Sequence, residues 1–344
     1  MPEGLAQPGA LDQLWARGRD FLGTRYAILG GAMSWVSERH LVSAISEAGG
    51  FGVIAGGSMN PDQLATEIAG TQALTHMPFG VNLITMHPRL DDLIRVCVEA
   101  RVGHVVLAGR LPSGRAVRAV KDGGARLICF APALVLARRL IRSGTDALII
   151  EGSEAGGHIG PVSLGVLAQE ILPVIHEVPV FVAGGIGRGE AILAYLEMGA
   201  AGAQLGTLFA AAAESIAHPR FKDALVRAPA RDAVASVQLD PEFPVIPVRG
   251  LLNDGARRFV VHQVETIRRF KAGDLGREEA HLAIEHFWAG ALRRAVIEGD
   301  VELGSVMAGQ SVGMVTRVQP VPAILEELVG QASAALLSRG SRGA

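Results

Sequence analysis

The run Asp146-Ala-Leu-Ile-Ile-Glu-Gly-Ser-Glu-Ala-Gly-Gly-His-Ile-Gly160 joins an apolar, strand-like segment to a glycine-rich turn carrying a histidine and two carboxylates. Glycines permit positive φ and close approach of a ligand to the backbone. An imidazole among them reads as a reactive group presented at a strand end. The bland reading is a tight turn with a solvated histidine. A second turn of the same kind, Ala183-Gly-Gly-Ile-Gly-Arg-Gly-Glu190, and then Gln204-Leu-Gly-Thr207, favour the functional one.

Outward from this run, short apolar segments alternate with helical periods. The predicted strands are Tyr26–Leu29, Phe51–Ala55, Phe79–Ile84 and His104–Ala108, then Arg126–Phe130, Ala147–Ile150, Pro179–Val182 and Ala203–Leu205. Between them apolar residues recur at i, i+3 and i+4, as at Leu41, Ala44, Ile45 and Ala48. Ser37 is the expected N-cap of that helix, and Gly49, Gly123, Gly144 and Gly199 are expected helix stops. Eight strand–helix units with strands apolar on both faces predict an α/β fold, a closed (β/α)8 TIM barrel, over the alternative of a doubly wound open sheet. The pattern breaks after Phe209 into a segment rich in proline and charge, followed by helical stretches near 257–271, 277–298 and 321–338. The expected division is a barrel over 20–215 and 300–335, with a partly helical C-terminal cap over 216–299.

Composition narrows the function. A formal net charge of −2 gives no electrostatic case for nucleic-acid binding. Cys97 and Cys129 are too few for a disulfide framework and read as buried thiols. Met1–Ala10 lacks the basic start and apolar core of a signal peptide, and no apolar run is long enough to span a membrane. A cytoplasmic enzyme is therefore expected, with the tail Gly340–Ala344 disordered. No metal is expected, because His76, His87, His104 and His158 share no ligand spacing.

Val180-Phe-Val-Ala-Gly-Gly-Ile-Gly-Arg-Gly-Glu-Ala191 reads as strand, glycine turn and helix start, whose free amides and helix dipole suit a phosphate. Gly206-Thr207 after the eighth strand adds donors, as in barrels that hold phosphate between their last two loops. A dinucleotide fingerprint is disfavoured, because no carboxylate follows near Gln204–Thr207 to hold a ribose.

Six co-linear motifs carry a resemblance from about residue 20 to 335. They are Gly30-Gly-Ala-Met-Ser-Trp-Val36, Pro78-Phe-Gly-Val-Asn82, Glu151–Gly160, Ala183-Gly-Gly185, Gln204-Leu-Gly-Thr207 and Ser305-Val-Met-Ala-Gly-Gln310. The chain resembles the FMN-dependent barrels comprising nitronate monooxygenases (2-nitropropane dioxygenases) and flavin-type enoyl-ACP reductases. The resemblance implies an FMN phosphate site at Gly184, Gly185, Gly206 and Thr207, with Ala183 among the cofactor-binding residues and Met33 against the flavin ring. It implies Asn82 at the ring edge, Gln310 in the turn that closes over the cofactor, Glu151 and Gly157 among the cofactor-binding residues, and His158 as the catalytic histidine. Histidine titrates close to neutrality, so it suits proton transfer at a carbon beside a nitro group or a thioester. Glu151 or Glu154 is the expected partner of the imidazole.

Two chemistries share this site. Nitronate oxidation leads on family frequency. The wording of Met33-Ser-Trp-Val36 and Gly299-Asp-Val-Glu-Leu-Gly-Ser-Val-Met307 is closer to the enoyl-reductase arm. That arm brings NADH or NADPH as donor and an acyl carrier protein as partner, for which Arg110, Arg115, Arg118 and Lys121 would form a basic rim. A non-catalytic flavin or phosphate binder is the third class. The substrate is expected to be a small molecule, with no nucleic-acid or membrane partner, and a homodimer is the candidate assembly.

Overall fold

The computed structural model describes residues 9–340. The expected features of Met1–Ala10 and Gly340–Ala344 therefore fall almost entirely outside the described residues. Two helices, α1 (Ala10–Leu14) and α2 (Ala16–Leu22), precede the first strand; β1 (Ile28–Gly30), α3 (Arg39–Glu47), β2 (Phe51–Ala55), α4 (Pro61–Leu74) and β3 (Phe79–Ile84) follow. Next come α5 (Leu90–Glu99), β4 (His104–Ala108), α6 (Gly114–Asp122), β5 (Arg126–Phe130), α7 (Leu134–Arg142) and β6 (Ala147–Glu151). The chain continues through β7 (Gly157–His158), α8 (Leu164–Ile171), β8 (Val180–Ala183), α9 (Gly189–Glu197), β9 (Gly202–Leu205) and α10 (Thr207–Ala210). Last are α11 (Pro219–Arg227), β10 (Ala233–Ala235), β11 (Val248–Leu251), α12 (Asp254–Ala272), α13 (Arg277–Glu298) and α14 (Val321–Gly340).

Strands β1 to β6, β8 and β9 form a closed parallel barrel. Closure is made by β1, which pairs with β2 on one side and with β9 on the other, Leu29 opposite Gln204. This rules out the open sheet. The barrel strands are almost wholly buried, which is why they read as unbroken apolar runs. The helices terminate by local rules. Asn60 and Gln63 form a reciprocal capping box ahead of Pro61 at the start of α4. Gly49, Gly144 and Gly199 follow their helices with positive φ, as expected. Two expectations are corrected. Gly124, not Gly123, takes the left-handed conformation after α6. The cap of α3 is Glu38, whose carboxylate accepts from His40 and Leu41 N–H, while Ser37 is turned back to donate to Gly31 O.

The proline-rich segment holds two strands that the sequence did not reveal. Strand β11 pairs antiparallel with β10 and with β7, giving a second, three-stranded sheet. A second apolar cluster, with Phe243, Phe259, Ile284 and Trp288 at its centre, lies between α12 and α13. The inner parts of this region join the main core through Phe221, Leu225, Leu292 and Val296. Cys97 and Cys129 are buried free thiols. Among the described residues, no helix is long and apolar enough to cross a membrane.

Candidate active site

The reactive candidates lie where the barrel strands end, and the sequence builds each position locally. Asn82 sits on β3 between buried Val81 and Leu83, 7% exposed, with its Oδ1 buried and without a hydrogen-bond partner. A buried amide oxygen left unpaired costs roughly 1–3 kcal/mol, so this atom points to a missing donor. Met33 lies in the loop after β1. Its N–H donates to Ser37 Oγ, and its sulfur would lie 3.5 Å from a Cβ built on Gly206. The loops after β1 and β9 are therefore in contact, and Met33 and Gly206 are brought together.

Gly184 and Gly185 both have positive φ, +99° and +69°. A Cβ on Gly184 would lie 2.9 Å from Gly152 O, and one on Gly185 would lie 2.9 Å from Glu154 Cβ. The turn after β8 is thus packed tightly against the Gly152–Ala155 turn, and Gly152 N–H donates to Ala183 O. Among the described residues the N–H groups of Gly184, Gly185, Gly206 and Thr207 donate to no protein acceptor. They remain available to an anion. Gly189 N–H, at the start of α9, donates to Gln331 Oε1 of α14 and is not among these free amides. The Ser305–Gln310 segment is stapled over this region, Gly309 N–H donating to Thr207 Oγ1 and Gln310 N–H to Glu154 O.

His158 projects from β7, held by its pairing with Val248 on β11. Gly157 before it has φ +77° and faces Met307. The imidazole's partner is not Glu151 or Glu154, as the sequence suggested. Its Nε2 lies 3.0 Å from Glu285 Oε2 on α13. Glu154 is committed elsewhere, its carboxylate accepting from Leu164 N–H at the head of α8. Glu151 ends β6 with no side-chain partner among the described residues, and burial pushes its carboxyl up to about 8. Burial would also raise Glu285. The hydrogen bond from His158 and the nearby His281 and His286 outweigh this and hold its carboxyl below the usual range. Residues missed from sequence are Glu285 and Arg249, whose guanidinium donates to Ser153 O; Gln204, already within a motif, has its side chain 3.3 Å from the Cβ position of Gly31. Arg293 on α13 lies over the Trp35 ring in the loop after β1, so α13 touches both sides of the mouth. Only Glu285 left a trace in the sequence, sharing a helix face with His281 at i, i+4.

A cavity of about 370 Å³ opens beside the mouth, lined by Leu107, Leu111, Phe130 and Leu136 with Arg110 at its edge. The predicted site residues lie outside its lining. The unpaired Asn82 Oδ1 and the four free amides fit a planar hydrogen-bonding ring with an anionic tail.

The family model described as nitronate monooxygenase matches residues 16–331. Two relatives, from Mycobacterium tuberculosis and Rhodococcus jostii, are both named (3aS,4S,5R,7aS)-5-hydroxy-7a-methyl-1-oxo-octahydro-1H-indene-4-carboxyl-CoA dehydrogenase. The first is 32% identical over 225 residues, covering 64% of this chain and 62% of that protein. The second is 28% identical over 338 residues, covering 91% and 94%. FabK from Thermotoga maritima superposes with a TM-score of 0.84 at 36% identity, over 94% of this chain and 98% of that one. A nitroalkane oxidase from Streptomyces ansochromogenes gives a TM-score of 0.77 at 26% identity, over 93% and 99%.

Proposed function

Because the chain belongs to the nitronate monooxygenase family, a family of flavin-type oxidoreductases, we propose that it is an FMN enzyme oxidising alkyl nitronates and nitroalkanes with O2 to carbonyl compounds and nitrite. The observation that carries the reading is the set of unpaired donors and acceptors around the barrel mouth, with one imidazole beside them. The flavin, when bound, supplies the redox chemistry. Gly184, Gly185, Gly206 and Thr207 would hold its phosphate through their free N–H groups, next to Ala183. Asn82 Oδ1 would accept from the ring edge, Met33 would lie against the ring, and the Gln310 turn would close over it. Gly157 and Glu151 would border the cofactor. His158 would take the proton from a nitroalkane carbon, or, when protonated, bind the preformed anion. In this reading 20–215 and 300–335 form the barrel and 216–299 a cap.

A second reading is the reduction of an enoyl thioester with NADH or NADPH, with His158 protonating the α-carbon. The carboxyl-CoA wording of two relatives' names and the greater identity to FabK than to the nitroalkane oxidase favour it. The basic rim for an acyl carrier protein shrinks, because Arg115 pairs with Asp91 and Lys121 with Asp146, leaving Arg110 and Arg118 unpaired among the described residues. A homodimer in the cytoplasm completes the proposal. The test is anaerobic mixing of the purified protein with a nitronate, NADH or NADPH while the flavin absorbance is followed, after chromatography of the heat-released cofactor. Bleaching by a nitronate supports the first reading. Bleaching by a nicotinamide alone, reversed by an enoyl thioester, supports the second. Recovery of FAD refutes the FMN site.

A further inference from the structure

The partner of His158 comes from neither its own loop nor a neighbouring barrel strand. Glu285 lies on α13, and the two side chains meet at 3.0 Å with 44% of each accessible. An ionised carboxylate only accepts, so Nε2 carries the hydrogen in the neutral as well as the charged imidazole. The described residues offer Nδ1 no hydrogen-bond partner, which leaves its lone pair free. The ring's base is fixed on both sides: His158 pairs with Val248, and Ile159 N–H donates to Pro247 O at 3.0 Å. The acceptor is fixed as well, since α13 packs Ile284 and Trp288 into the cap cluster and sets Arg293 over Trp35.

We propose that Glu285 is a positioning residue for His158: it keeps the hydrogen on Nε2 and leaves Nδ1 to exchange the substrate proton. This deepens, and rests on, the reading in which His158 moves a proton. An exposed ion pair that merely decorates the surface contributes little and orders nothing. This pair joins the cap helix to the loop that carries the reacting group, and its geometry selects a tautomer. The other charged groups that act on Glu285 are His281 and His286 on α13, and Arg249 on β11 stands in register with Gly157 beside His158. None of these other side chains hydrogen-bonds the His158 ring.

The test uses the holoenzyme and two variants. Glu285→Gln keeps the size and an acceptor oxygen but removes the charge, whereas Glu285→Ala removes both. Imidazole 15N resonances, with His158 assigned from the His158→Ala spectrum, report the tautomer directly. In the wild type the neutral ring should carry its hydrogen on Nε2. In Glu285→Gln, which keeps an acceptor, that tautomer should persist. In Glu285→Ala the tautomer preference should be lost. Turnover of a neutral nitroalkane should fall about tenfold in kcat in Glu285→Ala and be largely kept in Glu285→Gln, with KM and flavin content unchanged in both. An unchanged tautomer in Glu285→Ala would overturn the positioning role. The resonance measurement needs no turnover. A wild-type enzyme that turns over neither a nitroalkane nor an enoyl thioester would therefore overturn the functional reading separately.

Discussion

Replacing Gly185 with alanine tests whether the turn after β8 is the phosphate site. At φ +69° an alanine pays the left-handed penalty, roughly 1–2 kcal/mol. Its Cβ would sit 2.9 Å from Glu154 Cβ, well inside the ~3.5–4.0 Å optimum for carbon contacts, so either the turn or the Gly152–Ala155 loop must yield. Together the two effects amount to roughly 2–3 kcal/mol of local strain. The cheapest release is a displacement of the turn, which carries the free Gly184 and Gly185 amides away from the anion. If the strain is taken wholly from cofactor binding, Kd for FMN rises by roughly 30- to 150-fold. Gly165→Ala in α8 is the control: nothing lies within 4 Å of its Cβ position, and helix propensity predicts up to ~1 kcal/mol of stabilisation. Flavin titration of the apoprotein, with thermal denaturation alongside, measures both. A Gly185→Ala protein that binds FMN within twofold of wild type would show that the amides of this turn do not hold the phosphate.

His158→Ala should retain flavin and fold but lose about 10²–10⁴-fold in turnover of a neutral nitroalkane, and much less on the preformed nitronate; equal loss on both refutes proton abstraction by this group. Glu151, pushed up to about 8 in the fold, makes the apoprotein less stable as pH rises. Below about 4.5 both folded and unfolded forms hold the proton. Between there and about 8 only the folded form does, so stability falls and then levels off, by roughly 2–4 kcal/mol after allowance for the partly accessible side chain. Urea unfolding at pH 5 and 8.5 should show this slope in wild type and not in Glu151→Gln; parallel slopes would refute it. Cys97 and Cys129, buried with thiols pushed up to about 12 and about 11, should resist a thiol reagent at pH 8 until denaturant is added, and prompt labelling of the native protein would contradict the packing.

The barrel was legible because a strand buried on both faces leaves an uninterrupted apolar signature, as at Ala147–Ile150. Its first strand was read two residues early. Tyr26 N–H donates to Gly49 O in a loop bond, and the ladder begins only at Ile28. Strands β10 and β11 were not legible. Arg249 and Gly250 are poor strand formers, Pro241, Pro244 and Pro247 crowd the approach, and pairing with β7 and β10 is what makes this segment a strand. The same limit hid Glu285, which reaches His158 only through the seating of α13. The packing role of Gly189 at the start of α9 was hidden likewise: it allows Gln331 and the Leu328 backbone to approach, a contact set by α14 far along the chain. The candidate residues Met33, Asn82 and Gly184 could be picked out because each falls in a motif, whereas the unpaired Asn82 Oδ1 and the positive φ of Gly184 emerge only in the structure.

Barrel closure between Ile28 and Leu205 also has a consequence for biosynthesis. Strand β1 leaves the ribosome well before β9 and can pair on one side with β2, but its other edge must wait. At ~5–20 residues per second that interval is on the order of ten to thirty seconds, during which an apolar edge lies open to other nascent chains. The face of α9 at Gly189 is covered later in synthesis, when α14 emerges. Recombinant yield of this protein should therefore respond to slower growth and chaperone supply more than to changes in residues 216–299, and aggregates formed during expression should recruit β1 and β2 first.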